Sequence, residues 1–321
     1  MMNAELLIQN GKSVFSPILL DGIEYTTQRA GTPSKLTFSV LQDGKLKVGE
    51  GNAVSLRWGG QNVFYGYVFS IKSTNENSLT ITAYDQTRYF KNKETKVYEN
   101  KTATKVITEV LSDSGSFKMG TMEDTGYVIE TRVEDNQTIF DIIQNALDET
   151  LTNTKKMYVI YDDFGKLTLK SLDNMMVGIV VDADTAESYD YTSSIDENTY
   201  NRIKLYFDNE ATGQRDVYIA QDSAKMAEWG YLQYTDALKE GEDGKSKADA
   251  LLELYNKKTR KLSIKNILGD VRVRAGSMVF VSVQLWDMKV EAMMLVETCK
   301  HSFKENEHFM DITVRSGEFV A

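Results

Sequence analysis

The chain has 321 residues, 41% of them hydrophobic, one cysteine and a formal net charge of −10. This length and apolar content predict two or three folded domains and exclude a disordered chain, and the single cysteine, Cys299, excludes an intrachain disulfide. Residues 1–95 hold 10 Lys and Arg against 8 Asp and Glu, so the remainder carries −12, an acidic surface that disfavours nucleic-acid binding.

Neither a membrane span nor an export signal is apparent in the sequence. No run approaches the roughly 18 apolar residues of a membrane helix. The N-terminal apolar run, Leu6-Leu7-Ile8, is too short for the core of a signal peptide. We therefore expect a soluble protein that is not exported by a classical signal.

The first domain is predicted to be a small antiparallel β-barrel or sandwich over residues 1–94. Apolar and polar residues alternate in the runs 54–58 and 79–83, and residues 63–71 form another β-rich run. Gly59-Gly60 separates the run 54–58 from the run 63–71, as in a hairpin turn. With the earlier alternation at 36–40, about five strands are expected in the first 90 residues.

A compact α+β unit is predicted for residues 95–175. The polar run 91–101 is interpreted as the boundary. Thr102 is placed to cap a helix with apolar positions at 3-4 spacing, and a second amphipathic helix follows Asp135-Asn136. A hairpin with a glycine turn, Asp162-Asp163-Phe164-Gly165, is expected to complete the unit.

The pattern of apolar residues again predicts β-strands in residues 176–321, the second barrel domain, with a helical insertion at about 208–260. In that insertion Asp222 is placed to cap a short helix. The apolar residues that predict the strands are Val180, Val181, Val271, Val273, Val279, Val281, Val283, Val290, Val296, Ile312 and Val314. Their order around Gly276 repeats the order of strands around Gly51, which favours two similar barrels in one chain. The predicted fold class is therefore mainly β, with two tube-like antiparallel barrels and inserted α/β elements.

One cluster has the residue types of a metal site. Cys299, His301, His308 and Asp311 are the types that bind zinc, but their spacing matches no common zinc site. Cys299 and His301 share one face of a predicted strand, so packing in the core is the simpler interpretation. A hydrolytic site would need one of these two histidines, and no nucleophile elbow accompanies them.

The remaining polar signals also favour structural roles. Asp162-Asp163 and the pair Asp182 and Asp184 lack the register of a calcium loop and are interpreted as turn carboxylates. Met293-Met294 is interpreted as core filler, and no phosphate-binding glycine motif occurs. We predict no catalytic, cofactor-binding or metal-binding residues, and no cofactor.

Five segments together resemble one known family. They are AYDQTRYFKNK at 83–93, MYVIYDDFGKLTLKSL at 157–172, EWGYLQY at 228–234, GDVRVRAGSMVFV at 269–281 and VETCKHSFKENEHFMDITV at 296–314. In this order they resemble the tail hub protein of PBSX-like prophages and of phage-tail-like bacteriocins. That family is related to the baseplate hub of contractile tails and to the N-terminal part of type VI secretion spike proteins.

The resemblance implies a structural, non-enzymatic role. The family places two barrels in each chain, so that a homotrimer presents six barrels and adapts a sixfold tail tube to a threefold spike. The implied partners are the tail tube protein, the central spike protein, the tape measure protein and other baseplate proteins. The implied location is the baseplate of a virion or tail-like particle assembled in the bacterial cytoplasm.

The residues alone leave two other classes of function open. One is a tail-associated peptidoglycan hydrolase, which would clear cell-wall substrate. The other is a β-sandwich adhesin, which would bind a cell-wall sugar without assembling with copies of itself.

Overall fold

The computed structural model describes residues 4–316 except 21, 76, 116, 197, 210–212 and 239–241. The chain divides into two compact units. The first comprises the chain up to Tyr189 together with Ser263–Val314, and the second comprises Asp190–Leu262 with Arg315. The predicted mainly β fold with α+β insertions is confirmed. The predicted domain boundaries, 1–94, 95–175 and 176–321, stay a prediction.

The first β region opens the first unit. Its alternating burial follows the alternating apolar residues, because neighbouring side chains of a strand point to opposite faces. Its strands are β1 Ala4–Asn10, β2 Ser13–Phe15, β3 Ile23–Gln28, β4 Lys35–Leu41, β5 Ala53–Trp58, β6 Gln61–Asn75 and β7 Ser78–Tyr84. The order β3-β4-β7-β6-β5-β1-β2 is antiparallel throughout. The three strands predicted within residues 51–92 are confirmed, and β1 was not predicted.

Gly66 lies where the backbones of β6 and β7 are in close contact. It is opposite Val54 in the β5–β6 pair. A Cβ atom on Gly66 would lie 2.2 Å from the carbonyl oxygen of Tyr84 and 2.6 Å from the Phe64 ring. The glycine within the predicted β run is therefore required by close packing of backbone against backbone.

The α+β element follows in the same unit. Its elements are β8 Lys93–Thr102, α1 Ala103–Ser114, β9 Met119–Met122, β10 Val128–Thr138, α2 Ile139–Thr154, β11 Tyr158–Asp162 and β12 Leu167–Ser171. Thr102 and Thr138 cap the two helices, and the apolar stripes of both helices are buried in one core with Phe90 and Tyr98. The polar run 91–101 contains most of strand β8, which pairs with β10 and was not predicted. A two-stranded ribbon with one solvated face tolerates such polar residues, which hides the strand in the sequence.

The second β region returns to the sheet of the first. Its strands are β13 Met176–Asp182, β14 Ser188–Ser194, β18 Thr259–Leu268, β19 Met278–Gln284, β20 Lys289–Lys304 and β21 Glu307–Arg315. The chain leaves the first unit within β14 and returns to it within β18. Val271 and Val273, which were predicted to lie in a strand, lie instead in the turns before β19. Val273 is nevertheless fully buried, which explains why its apolar character resembled that of a strand.

Strand β20 joins the two β regions. Its first half pairs with β19, from Lys289 to Leu295, and its second half pairs with β3, from Thr298 to Phe303. Val290, Met294 and Val296 are buried on one face of the first half, and Cys299, His301 and Phe303 are buried on the other face of the second half. The strands of the two β regions therefore form one thirteen-stranded sheet rather than two separate sheets.

The second unit has its own small core. Strands β15 Arg202–Asn209, β16 Gln214–Gln221 and β17 Gln233–Ala237 form a sheet in the order β16-β15-β17. Helix α3 Ser223–Trp229 is capped by Asp222, as predicted, and α4 is Gly244–Tyr255. The core includes Ile203, Leu205, Ala220, Leu238 and Ala248.

Candidate functional site: a buried polar junction and an open sheet edge

A buried polar cluster, the junction, lies where the first β region, the α+β element and the second β region meet within the first unit. It comprises Tyr25 on β3, Asp85 after β7, Asp162 at the end of β11 and Arg274 before β19. Tyr25, Asp85 and Asp162 are each at least 95% buried. Side chains from all three parts of the first unit thus meet in one largely buried site.

Hydrogen bonds fix the two carboxylates of the junction. Asp85 accepts from the backbone N–H of Thr87 at 3.0 Å and thereby begins a 3-10 turn. Asp162 accepts from the Gln86 amide at 2.8 Å, and Gln86 in turn accepts from the backbone N–H of Lys118 at 2.9 Å. This chain of bonds connects the end of β7 to the α+β element.

Arg274 is the cation of the junction. Its Nη1 donates to the backbone oxygen of Asp162 at 3.0 Å, and its guanidinium lies 4.0 Å from the ring centroid of Tyr161. Next to it, the backbone N–H of Ala275 donates to the Thr27 hydroxyl at 2.8 Å. The second β region is therefore attached to both other parts by polar contacts that are buried or part-buried.

Burial has the largest effect on the pKa values of the acidic groups in this cluster. Desolvation and the charge of Asp162 raise the pKa of Asp85 to about 7, against opposing hydrogen bonds from Thr87 and Ser34 and the charge of Arg274. Desolvation also raises the pKa of Asp162, and it raises the pKa of Tyr25 to about 12. One cation faces two carboxylates that water does not reach, so the charged form of Asp85 is disfavoured.

Asp85 is expected to make stability depend on pH. The folded-state pKa of Asp85 is raised from 3.8 to about 7. Its stabilising contribution to the free energy of unfolding is therefore fully present below pH 4 and is lost as the pH rises through 7. Asp85→Asn keeps an oxygen for Thr87 and cannot ionise. Between pH 5 and 7.5 we expect the variant to gain up to about 3 kcal/mol relative to wild type, at about 1.4 kcal/mol per pKa unit. Urea unfolding at several pH values measures this difference.

Asp43→Asn is the matched control for this pH dependence. Backbone N–H groups of Lys45 and Leu46 hold the pKa of the exposed Asp43 below its usual value, so its titration lies outside the window. Buried His301 and half-buried His308 have pKa values lowered by desolvation, to about 3 and about 4. The contribution of these histidines to the free energy of unfolding rises with pH up to 6.5. It is the same in wild type and in Asp85→Asn, so the difference in stability between the two proteins isolates the effect of Asp85. A pH-independent difference would contradict the prediction.

Three of the four residues that resembled a zinc site, Cys299, His301 and His308, lie close together. Cys299 Sγ lies 3.2 Å from His301 Nε2, and His301 Nδ1 lies 2.9 Å from His308 Nε2. Cys299 and His301 are fully buried, which confirms that they pack on one face of a strand. Asp311 accepts from the backbone N–H of Asn266 at 2.9 Å. Within the described residues, no group of three or more potential ligands is arranged to hold a metal.

We expect the purified protein to contain no stoichiometric zinc. Burial raises the pKa of the Cys299 thiol far above its usual value, and a thiol binds zinc as the thiolate. The His301 ring already hydrogen-bonds to Cys299 and to the Val273 carbonyl. Metal analysis by mass spectrometry tests this. Zinc at one equivalent that disappears in Cys299→Ala would show the prediction to be wrong.

The other sequence candidates are turn residues, as interpreted, with one exception. Asp182 accepts from Thr185 and Asp184 in an exposed turn. Asp162 also closes its predicted turn, by accepting from the backbone N–H of Gly165, but it is buried in the junction. Sequence reasoning missed the junction because Asp85, Asp162 and Arg274 are far apart in the chain. The only local signal is Asp85 two residues before Thr87, a common capping pattern.

The second feature with functional potential is the outer face of the second β region. Strand β13 pairs with β19 and with no other named strand among the described residues. Val180, Phe280 and Met293 lie directly opposite one another across β13, β19 and β20, and all three are exposed. An open edge beside an exposed apolar row is typical of a protein–protein interface.

Comparison with known proteins assigns the family. The YQBQ-like family profile matches residues 23–315. The chain belongs to the YQBQ-like family. A relative, the phage-like element PBSX protein XkdQ of Bacillus subtilis (strain 168), is 30% identical over 309 residues, which cover 94% of this chain and 92% of the relative.

Solved structures share the fold of this YQBQ-like protein. The 43 kDa tail protein of prophage MuSo2 from Shewanella oneidensis has a TM-score of 0.69 at 15% identity, covering 97% of this chain and 98% of the other. The E. coli c3393 protein, a type VI secretion component, has a TM-score of 0.57 at 10% identity, covering 99% and 78%. The predicted resemblance to a protein of PBSX-like prophages is confirmed. None of the described helices is long and apolar enough to cross a membrane.

Proposed function

We propose that this YQBQ-like protein is the structural hub of a contractile-tail baseplate. In this proposal three copies form a ring that joins the sixfold tail tube to the threefold central spike. Each chain supplies two β regions, so that three chains supply six. The partners are the tail tube protein, the spike protein, the tape measure protein and other baseplate proteins, and the site of action is the particle baseplate.

The observation that carries the proposal is the pair of β regions in one sheet, joined by strand β20. A symmetry adaptor requires two similar surfaces per chain whose relative position is fixed. Strand β20 and the junction with Arg274 supply such a connection within the first unit. The family membership and the shared fold of tail proteins support the same role.

The proposed role is non-enzymatic. Both histidines of the chain contact each other at 2.9 Å. Desolvation lowers their pKa values well below 6.5, whereas a general base works best near the operating pH. The acidic balance of the chain also suits a ring around a channel, because it does not attract polyanions.

The test is the position and copy number of the chain in assembled particles. A structure of the tail tip is expected to show three copies between the last tube ring and the spike. An isolated chain at low concentration is a poor substitute, since such interfaces depend on partners already in place. Location on the sheath or the tail fibres, or absence from particles, would contradict the proposal.

A further inference from the structure

One exposed apolar depression of the first unit, the methionine groove, lies between the end of α2 and the second β region. It has a volume of about 370 Å³ and is lined mainly by Leu151, Met157, Leu172, Met176, Met278 and Met293. Met293 also belongs to the exposed row with Phe280 and Val180. Methionine side chains adapt to irregular partners, so this surface suits a protein ligand.

The rim of the methionine groove carries unpaired positive charge. Lys155 and Lys156 follow α2, line the groove and are exposed. Neither ammonium group has a carboxylate within ion-pair distance in the described part of the chain. Asp173 is the one acid lining the groove. A partner with apolar side chains flanked by carboxylates would complement this site.

A surface with that chemistry exists on the β8–β10 pair, here called the valine ribbon. Val97 lies directly opposite Val133, and both are at least 60% exposed. Glu99 lies two residues from Val97, and Asp135 two residues from Val133, so both carboxylates share the face of the valines. The Thr95 hydroxyl donates to Asp135 at 3.0 Å, which places this carboxylate beside the apolar pair.

We propose that the valine ribbon of one copy docks on the methionine groove of the next. The two surfaces match in character, since each has an apolar centre and flanking charges of opposite sign. They are different surfaces of one chain, so the contact is head to tail and generates a ring when the rotation closes. The inference rests on the proposed ring of copies and names the surfaces that form it.

The closing experiment mixes two variants of the full-length protein, each with one added cysteine, at high concentration. One carries Val133→Cys and the other Met293→Cys; the native Cys299 is fully buried and does not compete. A short thiol-reactive cross-linker is expected to give a mixed dimer. In the control pair, exposed Val14→Cys on β2 replaces Val133→Cys. The expected yield is at least about tenfold above this control, corresponding to about 1.4 kcal/mol.

Charge reversal tests the complementarity. Lys155→Glu with Lys156→Glu is expected to suppress the mixed dimer, and Glu99→Lys with Asp135→Lys on the other copy to restore it. Equal yields for test and control pairs would overturn the proposal, as would efficient cross-linking of two Met293→Cys chains. This failure is distinguishable from that of the hub role, because the hub role is judged by the position of the chain in particles.

Discussion

Replacing Gly66 with alanine is expected to lower the free energy of unfolding by about 3 kcal/mol. The new Cβ would meet the Tyr84 carbonyl oxygen at 2.2 Å and its carbon at 2.7 Å. These are backbone atoms of β7, which is paired with both β4 and β6, so neither can move without breaking ladder hydrogen bonds. Thermal and urea unfolding measure the loss.

Gly178→Ala is the matched control for Gly66→Ala. Gly178 also lies within a strand, β13, and a Cβ there would meet nothing within 4 Å. Replacing it is expected to be neutral or slightly stabilising, because alanine reduces the conformational freedom of the unfolded chain. A similar loss of stability in both variants would refute the close-packing argument for Gly66.

Arg274→Met is expected to cost about 2–3 kcal/mol at pH 8, the usual range when a hydrogen bond of a charged group is lost. The change removes a positive charge that favours the ionised forms of Asp85 and Asp162. It also removes the hydrogen bond to the Asp162 carbonyl and the contact with Tyr161. At pH 5.5 the loss is expected to be smaller, because Asp85, whose pKa is raised to about 7, is then mostly protonated. Urea unfolding at both pH values measures it.

Two further variants make this result specific. Arg272→Met removes an arginine that is 61% exposed and pairs with Asp270, so we expect a change below about 1 kcal/mol. The double variant Arg274→Met with Asp85→Asn should recover part of the loss at pH 8. No recovery would indicate that Arg274 stabilises the junction by packing rather than by charge.

The sequence predicts the fold well where local signals decide the structure. The strands within residues 51–92, the helix caps Thr102 and Asp222 and the hairpin at Gly165 follow from alternation, capping and turn chemistry. Strand β8 was missed because its exposed face is polar. The turn containing Val273 was mistaken for a strand because burial, not secondary structure, selects valine there.

The junction could not be predicted because its contacts are long-range. Gln86 and Asp162 are 76 residues apart, and Arg274 and Asp162 are 112 residues apart. An aspartate that accepts from the backbone of its own turn has the same local pattern whether it is half-buried, like Asp182, or buried, like Asp162. Only the packing of three segments around Arg274 distinguishes them.

Strand β20 buries one face in its first half and the opposite face in its second half. This change of face limits how the gene can change in length. Inserting one codon between Glu297 and Thr298 would rotate all later side chains to the opposite face. The residues Cys299, His301 and Phe303 would then point to solvent while Val290 and Met294 stayed buried. Related genes should therefore vary in length in loops such as that after β1, and keep the codon count from the position of Val290 to that of Phe303 constant.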